Sequence, residues 1–544
     1  MVMNLQSLFH FFRKNLLFFI FFVVNIFFLS QYPFVHSDEP WLSGLSGAII
    51  EAGSFITTEP FFDLLPRYPH AIKVLFHALQ IPLIALFDNT PFSVRLLSLL
   101  AATAALWLFH RITRAGLGER TAGLLTLLLA LDIQFIYQAH FARQEMLLLT
   151  VLLGAGLCYM KSLETGERRW IRLCAAAIAL SIGIHPNSFL ISLVIGGFLL
   201  VDLSWPLGMS RRQAAGRFAE YTAILALGAL LFVALSFWMD PDFLRNYGAF
   251  GRSVGVAEPL YMKFFRFPDF YAKLYHGISG TYYTPDIRLQ FFLFAVALAG
   301  AVLQLFFHPQ SRPWHLRLIA GLLMLNLGTL VLGKYSQPSI ILHFPLYLLL
   351  LGGLIKTLGT LISSPRWRIT VAAIIIGAAG FNSAFNLARE FHLIGPKANT
   401  EYESYRDYTE NIGRYIPPEA TVLANLNTQY YFSAGQLYDF RNLAFLDDRG
   451  LTFSGYMRSR GIEYILYPEE MDYIYQHRPV WNILYGNLYP YYRRMQDFLS
   501  AETELLGNFS SPVYGMRIAK LSGTRNWQVR VYRVLPDSGD AVDR

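Results

Sequence analysis

From residue 15 to residue 386 the chain is a succession of apolar windows, several of them 17 residues or longer, broken by loops that alternate in charge. A helix needs roughly 20 apolar residues to cross a bilayer core about 30 Å thick, so windows of this length read as membrane-spanning helices. They are expected near 15–31, 93–110, 121–137, 146–160, 171–185, 188–203, 218–238, 289–307, 316–333, 339–356 and 369–386, with 171–185 the weakest signal. Only 15% of the 544 residues are charged and 54% are hydrophobic, whereas a soluble domain carries about 25% charged residues. That balance excludes a soluble enzyme. The net charge of +8 does not point to nucleic acid, because in such a chain the placement of Lys and Arg matters more than their sum.

The placement is regular. Arg13 and Lys14 are followed by Arg111, Arg114 and Arg120, then by Lys161, Arg168, Arg169 and Arg172. Arg211, Arg212 and Arg217 come next, then Arg312 and Arg317, then Arg366 and Arg368. These groups fall at every second inter-helix position, as cytoplasmic loops should. The expected protein is a multi-pass component of the plasma (inner) membrane with a cytoplasmic N-terminus and, after eleven crossings, a C-terminus outside. Counting "AIKVLFHALQIPLIALF" (71–87) as a span would invert every later loop, so it reads as a helix on or dipping into the outer interface. "VHS" (35–37) loosely imitates a signal-peptide cleavage site, but Val35 fits such a site poorly and the first helix is expected to stay.

The fold class is therefore an all-α polytopic membrane protein with a small extracytoplasmic α/β domain at the C-terminus. Residues 1–389 form the membrane domain, with large outer loops at 32–92 and 239–288, and residues 390–544 form the soluble domain. Strands are expected at "ATVLANL" (420–426), "EYILYP" (463–468) and "WQVRVYRVL" (527–535), and a helix at "YESYRDYTENIGRYI" (402–416). The last strand alternates at period two. Cys158 and Cys174 fall inside apolar runs and read as small packing residues.

Chemistry gathers at the outer rim. Asp38 and Glu39 stand side by side about seven residues beyond the first window, in what reads as a loop or strand. "YQAHFARQEMLLL" brings His140, Arg143 and Glu145 to the same depth, with Glu145 opening the next helix, where a carboxylate is favoured. "GIHPNSF" adds His185 and Asn187; Lys334 and Tyr335 stand at the outer end of the 316–333 window; Arg67, His70 and Lys73 lie in the first outer loop. Each taken alone fits a cap, an interface anchor or a snorkelling base. Together they make a rim of acids and bases at a depth where charge is costly unless paired or functional.

Several stretches then resemble one family. The acidic pair after helix one, the interfacial stretch, "VRLLSLLAATAAL" (94–106), "HFARQEMLLLTVLLGAG" (140–156) and "GKYSQPSIILHFPLYLLLLGG" (333–353) are similar to the integral-membrane glycosyltransferases of the C superfamily (GT-C). The nearest branch is that of the protein O-mannosyltransferases and lipid A aminoarabinose transferases. The likeness spans about residues 10–390 and is one of pattern, most specific at Asp38-Glu39 and at "ARQE" (142–145). Where many members show Lys-Pro-Pro-Leu, this chain has "PRYPHAIK" (66–73).

The resemblance implies a polyprenyl-phosphate-linked sugar as donor and a hydroxyl on a lipid, glycan or protein as acceptor. It implies inverting single displacement, with Asp38 as base and Glu39 or Glu145 in support. Arg143, Lys73, Lys334, His70 and Arg67 are the candidates for the donor phosphate, and Glu145, His140, His185, Asn187 and Tyr335 for placing acceptor or sugar. A divalent metal stays open, with Asp38 and Glu145 as its ligands. Two other readings compete. A transporter or flippase of a lipid-linked substrate should show repeats and midplane charge, and no repeat is seen. A non-catalytic cell-envelope assembly subunit should tolerate loss of Asp38.

Overall fold

The computed structural model describes residues 5–205, 209–253, 256, 258–278, 280–307, 312–333, 336–361 and 364–536. The eleven apolar windows fall on helices, the one at 121–137 on two of them. Among the described residues, seven helices are long and apolar enough to cross a membrane: Pro91–Leu117, Glu145–Thr165, Arg211–Met239, Arg288–Phe307, Arg312–Leu332, Gln337–Leu358 and Pro365–Glu390. An eighth span forms if Glu119–Ala130 and Ile133–Ala139, bent by 66°, cross together. The chain is a multi-pass membrane protein. The windows at 15–31, 171–185 and 188–203 correspond to shorter helices, whose apolar or helical parts are Asn15–Phe28, Arg168–Ser181 and Ser188–Ser204.

The bend has a local cause. Asp132 caps the second half by accepting the Phe135 amide at 2.9 Å, and its other oxygen takes the Gln290 side-chain amide at 2.7 Å. A capping carboxylate there ends one helix and starts another. Elsewhere small residues let helices touch: a Cβ on Gly228 would lie 2.6 Å from the Ala179 Cβ, and one on Gly197 would lie 3.0 Å from the Ala320 carbonyl oxygen. Close approach of this kind is how helices pack in lipid, where burial of apolar surface gives no drive. Toward the end of helix Glu145–Thr165 remote from Glu145, Asp202 takes both Nε (2.8 Å) and Nη2 (2.6 Å) of Arg317 and the Tyr159 hydroxyl (2.6 Å).

Residues 421–534 carry a five-stranded sheet: β1 (Thr421–Ala424), β2 (Gln436–Asp439), β3 (Tyr464–Pro468), β4 (Thr503–Ser511) and β5 (Trp527–Val534), in the order β2-β1-β3-β5-β4. β1 pairs in parallel with β2 and β3, whereas β5 runs antiparallel to both β3 and β4. The first outer loop is hooked onto this sheet. The Phe61 carbonyl accepts from the Asp439 amide at the end of β2 (3.2 Å) and from the Asn442 side chain (2.9 Å). Asp63 accepts from the Tyr456 hydroxyl (2.9 Å) and from Arg460 Nε (2.5 Å). The sheet domain and the segment that follows helix Asp38–Ala52 are thus packed together.

Candidate active site

Asp38 and Glu39 do not sit in a strand or loop. They open the helix Asp38–Ala52, with Pro40 in its first turn. Pro lacks the N–H that the first turn leaves unsatisfied anyway, and the helix N-terminus favours both carboxylates. Successive helical residues point about 100° apart, so the pair divides between two environments.

Glu39 turns inward. Its side chain is 1% exposed, facing an Arg95 side chain with no exposure. Arg95 Nε and Nη2 donate to its two oxygens at 2.7 and 2.8 Å, while the amides of Ala142 (3.1 Å) and His36 (3.0 Å) add one bond to each. The third guanidinium nitrogen, Nη1, reaches the Leu29 carbonyl at 3.0 Å. With its acceptors engaged and no open face, Glu39 anchors the end of the first helix, the turn before Asp38 and the turn before Arg143. Glu39 is thus placed to support Asp38 and not to meet substrate. Arg95 has no charged neighbour in sequence to flag it, which is why sequence reasoning passed over it.

Asp38 turns outward and is 25% exposed, against 11% for Arg143 and 1% for Glu145. Its Oδ2 accepts from Arg143 Nη1 at 2.6 Å and from the Tyr282 hydroxyl at 2.7 Å. Arg143 Nη1 also donates to the Tyr282 hydroxyl. Arg143 Nη2 lies 3.2 Å from Glu145 Oε1, close enough for an ion pair but misaligned for a hydrogen bond. The guanidinium therefore stands between Asp38 and Glu145, where a metal shared by these two carboxylates would sit. Among the described residues, no group of three or more His, Cys, Asp or Glu side chains is placed to hold a metal ion.

His36 completes the cluster. Its ring stacks on Tyr282 with centroids 4.5 Å apart, and its Nδ1 accepts the Asp38 amide at 3.0 Å. An accepting Nδ1 puts the proton of the neutral ring on Nε2, which donates to the Thr281 hydroxyl at 2.8 Å. Burial, then the positive charges of Arg143 and Arg517, push the pKa of His36 below its ordinary 6.5, against the pull of Asp38 and Glu39. The unfolded chain then takes up a proton before the folded one. Stability attached to this ring is complete above about pH 6.5 and is lost as pH falls through the lower folded value. The thermal midpoint should drop between pH 7 and pH 5 by a larger amount in wild type than in His36→Gln. Equal drops would mean that other groups carry the acid sensitivity.

The remaining candidates lie apart from this cluster. Arg67 spends its fork on Glu59 (Nε 2.9 Å, Nη2 2.6 Å) and stacks over Trp41 and Phe250. Burial alone would raise Glu59, but Arg67 overrides it and draws the carboxyl down to about 2. Burial, reinforced by Lys73 and Arg67, takes His70 down to about 3, so it is neutral at physiological pH and supplies no charge for a phosphate. Lys73 lines the same recess as Glu59, Arg67 and His70. His140 Nδ1 hydrogen-bonds the Tyr32 carbonyl at 3.0 Å, beneath the Glu39 turn. His185 accepts the Asn187 amide (3.0 Å), and Asn187 donates to Ser339 (3.2 Å), a local turn lock. Lys334 and Tyr335 lie outside the described residues.

Tyr282 is another residue that sequence reasoning missed. It is one aromatic among many in the 239–288 segment, and nothing in the sequence singles it out. Removing its hydroxyl takes one hydrogen bond from a charged acceptor, worth about 1.5–3 kcal/mol. Tyr282 holds the Asp38 carboxylate in place, and a displacement near 1 Å at a reacting group can cost up to about 100-fold; Tyr282→Phe should lower kcat by about tenfold or more, and an unchanged kcat would show that the contact is idle.

A mostly helical membrane body carries a mixed-sheet domain over one face and an acid–arginine–tyrosine cluster beneath it. Residues 74–238 match the family described as dolichyl-phosphate-mannose-protein mannosyltransferase. The whole fold is similar to that of ArnT from Cupriavidus metallidurans bound to undecaprenyl phosphate, with a TM-score of 0.57 at 14% identity over 96% of this chain and 98% of that one. The apo state of the same protein gives 0.54 at 14% identity over 95% and 97%. The Archaeoglobus fulgidus oligosaccharyltransferase, in complex with Zn and sulfate, gives 0.52 at 14% identity over 86% of this chain and 69% of that one. At these identities the likeness is one of fold. No curated protein matches the chain by sequence.

Proposed function

We propose that the protein moves a sugar from a polyprenyl-phosphate carrier to a hydroxyl acceptor, at the outer membrane face where Asp38 and the soluble domain meet. The observation that carries this reading is the Asp38–Arg143 contact: the one well-exposed carboxylate of the cluster touches a guanidinium that also reaches Glu145. Asp38 is the base. The acceptor oxygen attacks the anomeric carbon and its proton passes to Asp38 Oδ1 or Oδ2. The bond from that carbon to the donor phosphate oxygen breaks, and polyprenyl phosphate leaves. A single displacement of this kind inverts the anomeric configuration.

Arg143 meets the charge that grows on the leaving phosphate, an interaction that strengthens in a poorly hydrated site. Lys73 is a second candidate for the same charge. Both Glu145 oxygens are buried and accept no hydrogen bond among the described residues, which suits Glu145 to hold a sugar or acceptor hydroxyl. An apolar cavity of about 220 Å³ lined by Phe291, Phe294, Phe344 and Tyr347, with Gln290 and His343 at its wall, has the character of a prenyl-chain site. ArnT's bound undecaprenyl phosphate supports the same donor class here.

The test is transfer by the purified protein in nanodiscs, with a panel of undecaprenyl-phosphate sugars and a membrane-glycolipid extract from a deletion strain as acceptor. The expected product gains one sugar mass and shows the opposite anomeric configuration to the donor by NMR. A product of retained configuration would end the single-displacement reading. No transfer from any donor to an extract that lacks a sugar in vivo would end the carrier assignment.

A further inference from the structure

Tyr282 and the His36 partner Thr281 belong to the link between helices Leu260–Tyr275 and Arg288–Phe307, whose described residues, 276–278 and 280–287, carry neither helix nor strand. A link of this kind has no internal reason to hold one conformation, and fixing each residue costs about 1–2 kcal/mol. Something outside it must set the position of the Tyr282 hydroxyl. The described contacts share this between the helices, where Gln337 Nε2 donates to the Tyr283 carbonyl at 2.8 Å, and the soluble domain at residue 280. The Ala519 amide donates to the Gly280 carbonyl at 3.0 Å. The rim of the Trp481 indole lies against Gly280, such that a Cβ at 280 would stand 3.2 Å from Trp481 Cη2. One residue on, Thr281 accepts from His36, and two residues on, Tyr282 donates to Asp38.

We propose that the soluble domain is a working part of the transferase site: through Trp481 and Ala519 it fixes segment 280–282, and so sets Tyr282 and His36 against Asp38. Trp481 is a positioning residue, acting through the segment and touching no substrate. The inference rests on the glycosyl-transfer reading for its kinetic arm and on geometry alone for its structural arm. It explains why Gly stands at 280, since the indole and the segment meet where a side chain would be.

The structural arm is hydrogen exchange on the full-length protein in nanodiscs. Trp481→Ala should speed exchange of the 281–283 amides at least tenfold while leaving the β3 and β5 amides protected. Unchanged exchange at 281–283 overturns the proposal. If Trp481→Ala exposes the whole sheet, Gly280→Val perturbs the same contact from the membrane side and is read in the same way. The kinetic arm is a double-mutant cycle. A displacement near 1 Å at a catalytic group can cost up to about 100-fold, so Trp481→Ala should lower kcat by about tenfold with the donor KM within about twofold. In Tyr282→Phe the same change should cost less than about twofold, because the positioned hydroxyl is already gone. Multiplicative losses, or a change in KM alone, overturn it. Altered exchange in a wild-type protein that transfers no sugar would leave the coupling standing and sink the function instead.

Discussion

Asp38→Asn abolishes sugar transfer while leaving the protein folded. Asparagine keeps the size of the side chain and one oxygen for Arg143 and Tyr282, but it takes no proton from an attacking hydroxyl. General-base catalysis contributes about 10²–10⁴-fold, and that is the expected loss in kcat. Binding of the donor is retained, because the carboxylate is not asked to hold the phosphate. Stability is expected to change little: Asp38 is a quarter exposed, and exposed ion pairs are worth about 0–1 kcal/mol. Three readouts check this together: the transfer rate, the thermal midpoint in detergent, and the elution profile of the purified variant. A variant with more than a tenth of wild-type activity would show that Asp38 is not the base. Full complementation of a deletion strain by the variant would favour the assembly-subunit reading.

How much of this was legible in sequence depends on the range of the interactions. The long helices were, because each is written in an apolar run, though the helix Asp38–Ala52 and the bend before Ile133 were not; the strands β1, β3 and β5 were, because β-branched and aromatic residues cluster in short bounded stretches. The shared location of Asp38, Arg143 and Glu145 could be argued from loop charge and helix ends. What the sequence hides is partnership. Nothing local distinguishes Glu39, sealed against Arg95 some 56 positions away, from Asp38, which meets solvent next door. Nor does anything mark Tyr282 among 31 tyrosines. The recess of Arg67, His70 and Lys73 stands apart for a similar reason: Arg67 is consumed by Glu59 within its own loop, and burial draws the pKa of His70 down.

The family match and the cluster also weigh differently on the open alternatives. A match at 74–238 includes Arg143 and Glu145 but not Asp38 or Tyr282, so the base and its tyrosine rest on geometry. That geometry joins three separate parts of the chain: the first outer loop, the turn at 140–145 and the link at 280–282. An assembly subunit would have no need to bring a partly exposed acid, an arginine and a tyrosine hydroxyl to one point.

The largest stability effect is expected one residue from Asp38. Glu39→Gln leaves the Arg95 guanidinium, which has no exposure, as a buried charge facing a neutral amide. Removing one partner of a buried pair costs about 3–5 kcal/mol, a large share of the 5–15 kcal/mol that holds a typical domain folded. The thermal midpoint should fall markedly, and transfer should fall with it, because Glu39 also holds the His36 and Ala142 amides on either side of the reacting groups. Glu39→Gln combined with Arg95→Met removes both charges and keeps an oxygen for one of those two amides, the other facing the Gln NH2. Replacing a buried pair by neutral groups is often neutral or stabilising, so the double variant should regain part of the midpoint lost by the single one. If Glu39→Gln melts like wild type, the pair is not the anchor, and the separation of one structural carboxylate from one reactive carboxylate at adjacent positions fails with it.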